Sequence, residues 1–330
     1  MPVKLSFIQI LENNLKSKNL SESSIRLYLR NLKKLSDEDE IKNFNFLKKP
    51  DEVLKKLENL KDNTKRGYLI SIVSVLNTYG DKYEKLKKQY YKFMLDISNK
   101  IKDKPTTELS EVQQQNWITW DDVLKKQDEL LKDLDKSVGV KKTISDLQYN
   151  KLLKYVVLSL YCEIPPRRTQ DWLKMHITFN SSTDDKAFNY LDIAKKQFIF
   201  NVFKTAKKDG SMVIDIPEKL MNILNLYIKY HPLLNVKKPV NIPFLVWDNG
   251  TPFDKDNTIT RFLNKIFDKK ISASMLRHIY LSSKYGNILK EQEKDSKMMS
   301  HNMNTQRDYI KVGSGVGSTT NVVSFGVGSA

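Results

Sequence analysis

Five residues in the second half of the chain have side chains that could act together on a phosphate group. In chain order they are Arg168, Lys204, Arg277, His301 and Tyr309. A tyrosine oxygen is a nucleophile that can form a covalent intermediate. Arginine presents a planar fork of donors to phosphate oxygens, and lysine can protonate a leaving oxygen as a general acid. This set could cleave a phosphodiester bond without a metal ion, provided that the fold brings its members together.

The first arginine belongs to a double-arginine run behind two prolines. A strongly apolar helix is predicted over residues 145–162, and Pro165 and Pro166 then lead into Arg167 and Arg168. The helical spacing of Asp171 with the apolar residues beyond it predicts that a second helix starts here. Taken alone, the pair is better explained as surface arginines beside a turn, or by an ion pair between Arg168 and Asp171.

The lysine lies in the stretch with the clearest β pattern. Residues 198–203 and 211–216 alternate between apolar and polar positions, and Asp209-Gly210 between them is a strong turn signal. Together with a strand near residues 190–193, they predict a small sheet of three antiparallel strands. Lys204 would leave the first strand of the hairpin, whereas Lys207 and Lys208 at its tip are better explained as solvated side chains.

The remaining three candidates are predicted on helices near the C-terminus. Arg277 follows the start of a helix, and His301 follows a second helix over residues 291–299. Thr305 is predicted to cap the next helix, with Asp308 at its third position, so that Tyr309 falls in the first turn. Taken singly, Tyr309 could be a packed tyrosine, and His301 could be a cation at a helix C-terminus.

The first hundred residues predict a bundle of four or five short helices. Residues 100–109 are polar, charged and broken by Pro105, which is typical of a linker. We therefore predict a helical DNA-binding domain over residues 1–104, a catalytic domain over 105–312 and a flexible Gly/Ser-rich tail over 313–330. The helical domain carries several lysine pairs, which are either ordinary solvated faces or a surface that follows phosphates.

The net charge favours a polyanionic partner. The 330 residues include 56 Lys and Arg against 39 Asp and Glu, which gives +17. A globular protein this basic is typical of nucleic-acid binding, although a generally lysine-rich surface would give the same count.

Composition argues against several other classes of protein. Cys162 is the only cysteine, and the four histidines lack the spacing of metal ligands. No apolar run approaches the roughly 18 residues of a membrane span, and the first residues lack a secretion signal. We expect an intracellular protein without a cofactor, a metal or a membrane segment.

The order and context of the five candidates resemble the tyrosine recombinase family, the integrases of phages and mobile elements. The resemblance covers most of the chain. The Pro-Pro-Arg-Arg run and the short spacing from His301 to Tyr309 are most similar to recombinases of eukaryotic large viruses and Crypton-type elements. It implies a mainly α fold with a small antiparallel sheet, in which a helical core-binding domain precedes an α+β catalytic domain.

The same resemblance assigns a role to each candidate. Arg168 is similar to the family's first arginine, because an acid stands three residues later, and Arg167 is the weaker alternative. Lys204 is similar to the hairpin lysine, Arg277 to the second arginine, and His301 to the donor at the scissile phosphate. Tyr309 is then the nucleophile.

One position departs from the family pattern. Three residues before the second arginine the family usually has histidine, sometimes lysine, and this chain has Ser274. Serine can still donate a hydrogen bond, so we keep Ser274 as a supporting candidate. Losing one preorganised donor typically costs about 3 kcal/mol of transition-state stabilisation, which affects rate more than reaction type. His278, which directly follows the arginine, corresponds to a position that is usually structural.

The resemblance implies site-specific cutting and rejoining of double-stranded DNA through a 3′-phosphotyrosyl intermediate at Tyr309. It also implies a homotetramer on two DNA sites, and for a viral protein a place in the host nucleus or a viral factory. Two alternatives stay open. The chain could relax DNA as a monomer, like a type IB topoisomerase, or it could be a DNA-binding relative that has lost its chemistry, with Ser274 as the first sign.

Overall fold

The chain divides into two compact units, Met1–Leu109 and Ser110–Ala330. The computed structural model describes residues 5–38, 40–102, 109–134, 136, 138–179, 185–234 and 242–310. The predicted boundary at residues 104–105 and the predicted tail over 313–330 lie outside the described residues. The assignment of DNA binding to one unit and catalysis to the other stays a prediction.

Within its described residues the first unit is a bundle of five helices, where the apolar spacing predicts four or five. They are α1 (Phe7–Lys16), α2 (Glu22–Ser36), α3 (Pro50–Leu57), α4 (Asp62–Leu76) and α5 (Glu84–Lys102), with 3-10 turns at Asn45–Leu47 and Asn77–Tyr83. Ser6 and Ser21 cap the first two helices through their side chains. Apolar residues from all five helices form one buried core, and the Tyr90 hydroxyl donates to the Leu47 carbonyl within it at 2.9 Å.

The second unit packs helices around a small sheet. Its helices are α6 (Glu111–Asn116), α7 (Trp120–Asp133), α8 (Asp146–Cys162), α9 (Thr169–Leu173), α10 (Ala206–Asp209), α11 (Glu218–Lys229), α12 (Thr258–Phe267), α13 (Ala273–Met298) and α14 (Met303–Tyr309). Its strands are β1 (Met175–Thr178), β2 (Asn189–Asp192), β3 (Gln197–Phe200), β4 (Met212–Asp215) and β5 (Ile242–Pro243). The mainly helical fold class is therefore confirmed.

The sheet contains the predicted antiparallel strands and two more. Its order is β4-β3-β2-β1-β5, and the pairs β4–β3, β3–β2 and β1–β5 are antiparallel. β1 runs parallel to β2, so the sheet is mixed rather than wholly antiparallel. The sequence gives little signal for β1 or β5, because they are short and lie on either side of the predicted hairpin strands.

The core of the second unit centres on α8 and Trp172. Ten residues of α8 are buried, since the helix is covered by α7, α11 and α12. The ring of Trp172, at the end of α9, meets Phe198 and Phe200 of β3 edge to face, at 5.3 and 5.6 Å between centroids. This packing fixes α9, and the two arginines before it, against the sheet.

α13 is a single helix of 26 residues, where the sequence predicts two. Its first turns bury Leu276 and Ile279, and Tyr280 meets Trp120 of α7 edge to face at 5.1 Å. Between residues 281 and 298 only Ser296 is buried. The first half of α13 is thus anchored in the unit, while its second half is largely exposed.

Candidate active site

The two arginines lie in the turn that leads into α9, here called the arginine turn (residues 167–171). Arg168 is the N-terminal cap residue of α9, with an extended backbone. Arg167 instead folds back over the turn, and its Nε donates to Oδ2 of Asp171 at 3.0 Å. The alternative of an ion pair between Arg168 and Asp171 is therefore wrong, because Asp171 takes Arg167 as its partner.

Aromatic rings complete the environment of Arg167. Its guanidinium carbon lies 3.6 Å from the ring centroid of Phe200 and 5.7 Å from that of Phe203. Its Nη1 also lies 3.2 Å from the Met212 sulfur. Only 13 % of the Arg167 side chain and 4 % of the Asp171 side chain is exposed. The pair therefore forms the buried floor of the site.

The charges around this floor connect it to the second arginine. Burial lowers the pKa of Arg167, Asp171 opposes that shift, and the positive charges of Arg168 and Arg277 lower the pKa further. The charges of Arg168 and Arg277 thus both act on the buried Arg167 guanidinium. Burial likewise raises the pKa of Asp171, and the Arg167 charge opposes it.

Asp171 neutralises only one of these three cations. Arg168 and Arg277 are half-buried, and no carboxylate of the described ranges lies within ion-pair distance of either. An arginine without a carboxylate partner is suited to an external anion, and the fork geometry of its guanidinium suits a phosphate.

Lys204 lies in the segment that joins β3 to β4, here called the lysine connection (residues 201–211). β3 ends at Phe200, earlier than predicted, and α10 occupies part of the connection. Gly210 closes α10 with φ 75°, a conformation that glycine adopts without strain. Lys204 is exposed, and its neighbour Phe203 faces the Arg167 guanidinium. The backbone that carries Lys204 therefore lies close to the arginine turn.

Arg277 lies in the second turn of α13. The Ser272 hydroxyl caps this helix by accepting from the Met275 N–H at 3.2 Å. Ser274 is exposed one turn before Arg277, and residues three apart on a helix share a face. The serine is therefore on the same side of the helix as the arginine. His278 is also exposed.

His301 follows the end of α13 and is held there by the backbone. Ser300 has a left-handed φ of 54°, the His301 N–H donates to Ser296 O at 3.0 Å, and the Ser300 N–H donates to Lys297 O at 3.2 Å. This is a Schellman ending, with serine where glycine is usual. The His301 Nδ1 lies 3.4 Å from Met299 O, an oxygen that can only accept, so this contact requires a proton on Nδ1.

The structure brings His301 and Tyr309 together. Their rings meet edge to face at 5.7 Å between centroids and 66°. α14 begins earlier than predicted, because Asn302 caps it by accepting from the N–H groups of Asn304 and Thr305 at 2.9 Å each. Tyr309 is therefore in the last turn of α14, not the first. Its side chain is exposed (72 %) and open to a large substrate.

The His301–Tyr309 pair lies at the C-terminal end of α13, whereas Arg277 lies near the start of that helix. At a rise of about 1.5 Å per residue, α13 extends about 30 Å from Arg277 to its end at Met298. α14 packs on α13. The site residues thus form two groups, the arginine turn with Arg277 and the lysine connection, and the His301–Tyr309 pair at the far end of α13.

No group of three or more His, Cys, Asp and Glu side chains within the described part of the chain could hold a metal ion. Within the same ranges, no helix is both long and apolar enough to cross a membrane.

Comparison with known proteins gives one match. No protein-family model matches the chain, and no curated protein matches it in sequence. A solved structure described as the crystal structure of XerA recombinase is similar over 93 % of this chain and 94 % of its own, with 12 % identity and a TM-score of 0.34.

Proposed function

We propose that the chain is a site-specific DNA recombinase that cuts and rejoins DNA through a 3′-phosphotyrosyl link at Tyr309. The observation that carries the proposal is the arginine cluster. Asp171 neutralises the buried Arg167, so Arg168 and Arg277 keep their charges for an external phosphate. An exposed tyrosine in contact with a histidine supplies the nucleophile that such a phosphate needs.

The reaction proceeds by exchange of one phosphoester for another. The Tyr309 oxygen attacks the phosphorus of a DNA phosphodiester, and its proton passes to water, to which the exposed phenol is open. The 5′ oxygen leaves with a proton from Lys204. Arg168, Arg277 and His301 hold the charge on the non-bridging oxygens. The 5′ hydroxyl of a partner strand then attacks the phosphotyrosine and releases the enzyme, so no energy source or cofactor is consumed.

The proposal requires a movement of Tyr309 towards the arginines. Tyr309 contacts His301 just beyond the end of α13, and that end lies about 30 Å along the helix from Arg277. Gly286 lies near the middle of this helix, at the start of its exposed half, and glycine weakens a helix interior by about 0.5–1 kcal/mol relative to alanine. We infer that α13 opens near Gly286 when DNA binds, and that α14 then brings Tyr309 to the arginines of its own chain.

Double-stranded DNA is the proposed partner. The net charge of +17 suits it, and both units would hold the duplex. Strand exchange requires two DNA sites, for which we propose a homotetramer. On the Pro-Pro-Arg-Arg run and the short spacing from His301 to Tyr309, we place the chain with recombinases of eukaryotic large viruses and Crypton-type elements, acting in the host nucleus or a viral factory.

Nicked and branched DNA carrying candidate sites tests the proposal. The protein is incubated with the DNA and then denatured, and a covalent adduct that is lost in Tyr309→Phe is expected. Recombinant products are expected from paired sites, whereas plasmid relaxation without them would indicate a topoisomerase. Binding without any adduct would overturn the proposal. It would favour an inactive DNA-binding relative, in keeping with Ser274.

A further inference from the structure

The side chain of Asn189 ties the lysine connection to the arginine turn. Asn189 opens β2 and is fully buried. Its Nδ2 donates to the carbonyl oxygen of Asp171 at 2.7 Å and to that of Val202 at 3.0 Å. Its Oδ1 accepts from the backbone N–H groups of Asn201 at 2.8 Å and Val202 at 2.7 Å. One amide thus bonds to both segments.

These four bonds use the whole capacity of the amide, which has two donor hydrogens and two acceptor lone pairs. All four partners are backbone groups, so the side chain fixes where two segments of main chain lie. The residue pairs of β2 and β3 end at Tyr190 and Ile199. Beyond that point the side-chain amide of Asn189, rather than the backbone of β2, forms hydrogen bonds with the backbone of residues 201 and 202.

The far end of the lysine connection is held by the same network. The Ser211 hydroxyl donates to Oδ1 of Asn201 at 2.7 Å, and Nδ2 of Asn201 donates to the Phe188 carbonyl at 2.9 Å. Lys204 follows Val202 by two residues, which is at most about 7 Å of extended chain. The backbone that carries Lys204 is therefore anchored on both sides.

We propose that Asn189 is a positioning residue for proton transfer, which sets the backbone of Lys204 against the turn that carries Arg168. This role rests on the function proposed above. A general acid must reach hydrogen-bond distance from the leaving oxygen while the arginines hold the phosphate, and small misplacements of such groups cost large factors in rate. Asn189 touches neither the phosphate nor the leaving group, and acts through the main chain.

DNA with sulfur in place of the 5′ bridging oxygen separates this role from a general loss of structure. A thiolate leaves without being protonated, so it does not need the acid. We expect Asn189→Ala and Lys204→Ala to slow cleavage of oxygen-bridged DNA more than tenfold, and to cleave the sulfur-bridged DNA at nearly the parent rate. Arg168→Ala should remain slow on both substrates.

Asn31→Ala is the matched control. Asn31 is a buried amide of the first unit, and its Nδ2 donates to the Ser71 hydroxyl at 2.9 Å. Its removal should lower thermal stability without changing the ratio of the two cleavage rates. If Asn189→Ala unfolds at the assay temperature, Ser211→Ala replaces it, because that exposed serine contributes one bond of the network. A smaller slowing that sulfur also relieves is then expected.

Hydrogen exchange tests the anchor without any DNA. The amides of Asn201 and Val202 should exchange faster in Asn189→Ala than in the parent, and unchanged exchange would show that the anchor does not hold them. Equal slowing on both DNA substrates would overturn the positioning role while leaving the recombinase proposal intact. No cleavage of either substrate by the parent protein would overturn the proposed function, and the role of Asn189 with it.

Discussion

Gly286 provides a direct test of whether α13 must open for Tyr309 to reach the arginines. A Cβ atom added at Gly286 would meet no other atom within 4 Å, so Gly286→Ala introduces no clash. Its effect is on helix propensity, where alanine is favoured over glycine by about 1 kcal/mol. The substitution therefore stabilises the continuous form of α13 by about that amount.

If the opened form is the minor one, a shift of about 1 kcal/mol reduces its population about fivefold. We expect single-turnover formation of the covalent adduct to slow by the same factor at saturating DNA. Gly67→Ala is the matched control, because Gly67 lies inside α4 and its Cβ would likewise meet nothing within 4 Å. That variant should be more stable and equally fast.

An unchanged or faster rate in Gly286→Ala would refute the opening of α13. The arginines of a second copy would then be the alternative target of Tyr309. A mixture of Tyr309→Phe and Arg277→Ala proteins distinguishes the two arrangements. It should remain inactive if each tyrosine serves its own chain, and it should regain cleavage if the tyrosine of one copy serves the arginines of another.

Three further predictions follow from buried and exposed side chains. Asp171→Asn should lower the free energy of unfolding by about 3 kcal/mol in urea titrations, because it leaves the buried Arg167 charge without its partner. Burial lowers the pKa of His231 to about 4, so the unfolded chain binds a proton there below pH 6.5 that the folded chain does not. The free energy of unfolding should therefore fall by about 3 kcal/mol as the pH drops from 6.5 to 4, and His231→Gln should reduce this dependence. Ser274→His restores a donor on the exposed face beside Arg277 and should speed adduct formation by about a hundredfold, whereas an unchanged rate would show that Ser274 is not directed at the phosphate.

The neutral state of His231 explains why that histidine is structural. It is fully buried, and its Nε2 lies 3.1 Å from the Pro243 carbonyl oxygen and 3.3 Å from that of Phe244, while Nδ1 accepts from the Leu233 N–H at 3.3 Å. Because both carbonyls can only accept, Nε2 carries the proton. The side chain thus links the end of α11 to β5, and a protonated ring would lose the bond at Nδ1.

Local sequence patterns predicted which helices and strands form better than where each one begins and ends. The five helices of the first unit and the antiparallel strands followed from apolar spacing and turn residues. The continuity of α13 did not, because its second half buries only Ser296 and therefore carries little apolar periodicity. The earlier start of α14 depends on Asn302, a stronger N-cap than Thr305.

In the candidate site, contacts between residues close in sequence were predictable, whereas contacts that depend on distant segments were not. The contact of His301 with Tyr309 agrees with their short spacing. The pairing of Arg167 with Asp171 depends on Phe200 and the other side chains of the sheet that bury it, which no local pattern shows. Asn189 gave no signal at all, since an asparagine at a strand start is ordinary and its four partners are backbone groups from other segments.

The most direct measurement is to identify the residue that carries the DNA. An adduct formed with 5′-labelled DNA is denatured and digested with nuclease and trypsin, which cuts after Arg307 and Lys311. We predict that mass spectrometry finds a nucleotide 3′-phosphate on Tyr309, and that Tyr285→Phe, which changes an exposed tyrosine of α13, gives the same peptide. An adduct on any other residue, or an adduct that retains the DNA on the 3′ side of the cut, would contradict the assignment of Tyr309 and the 3′-phosphotyrosyl chemistry.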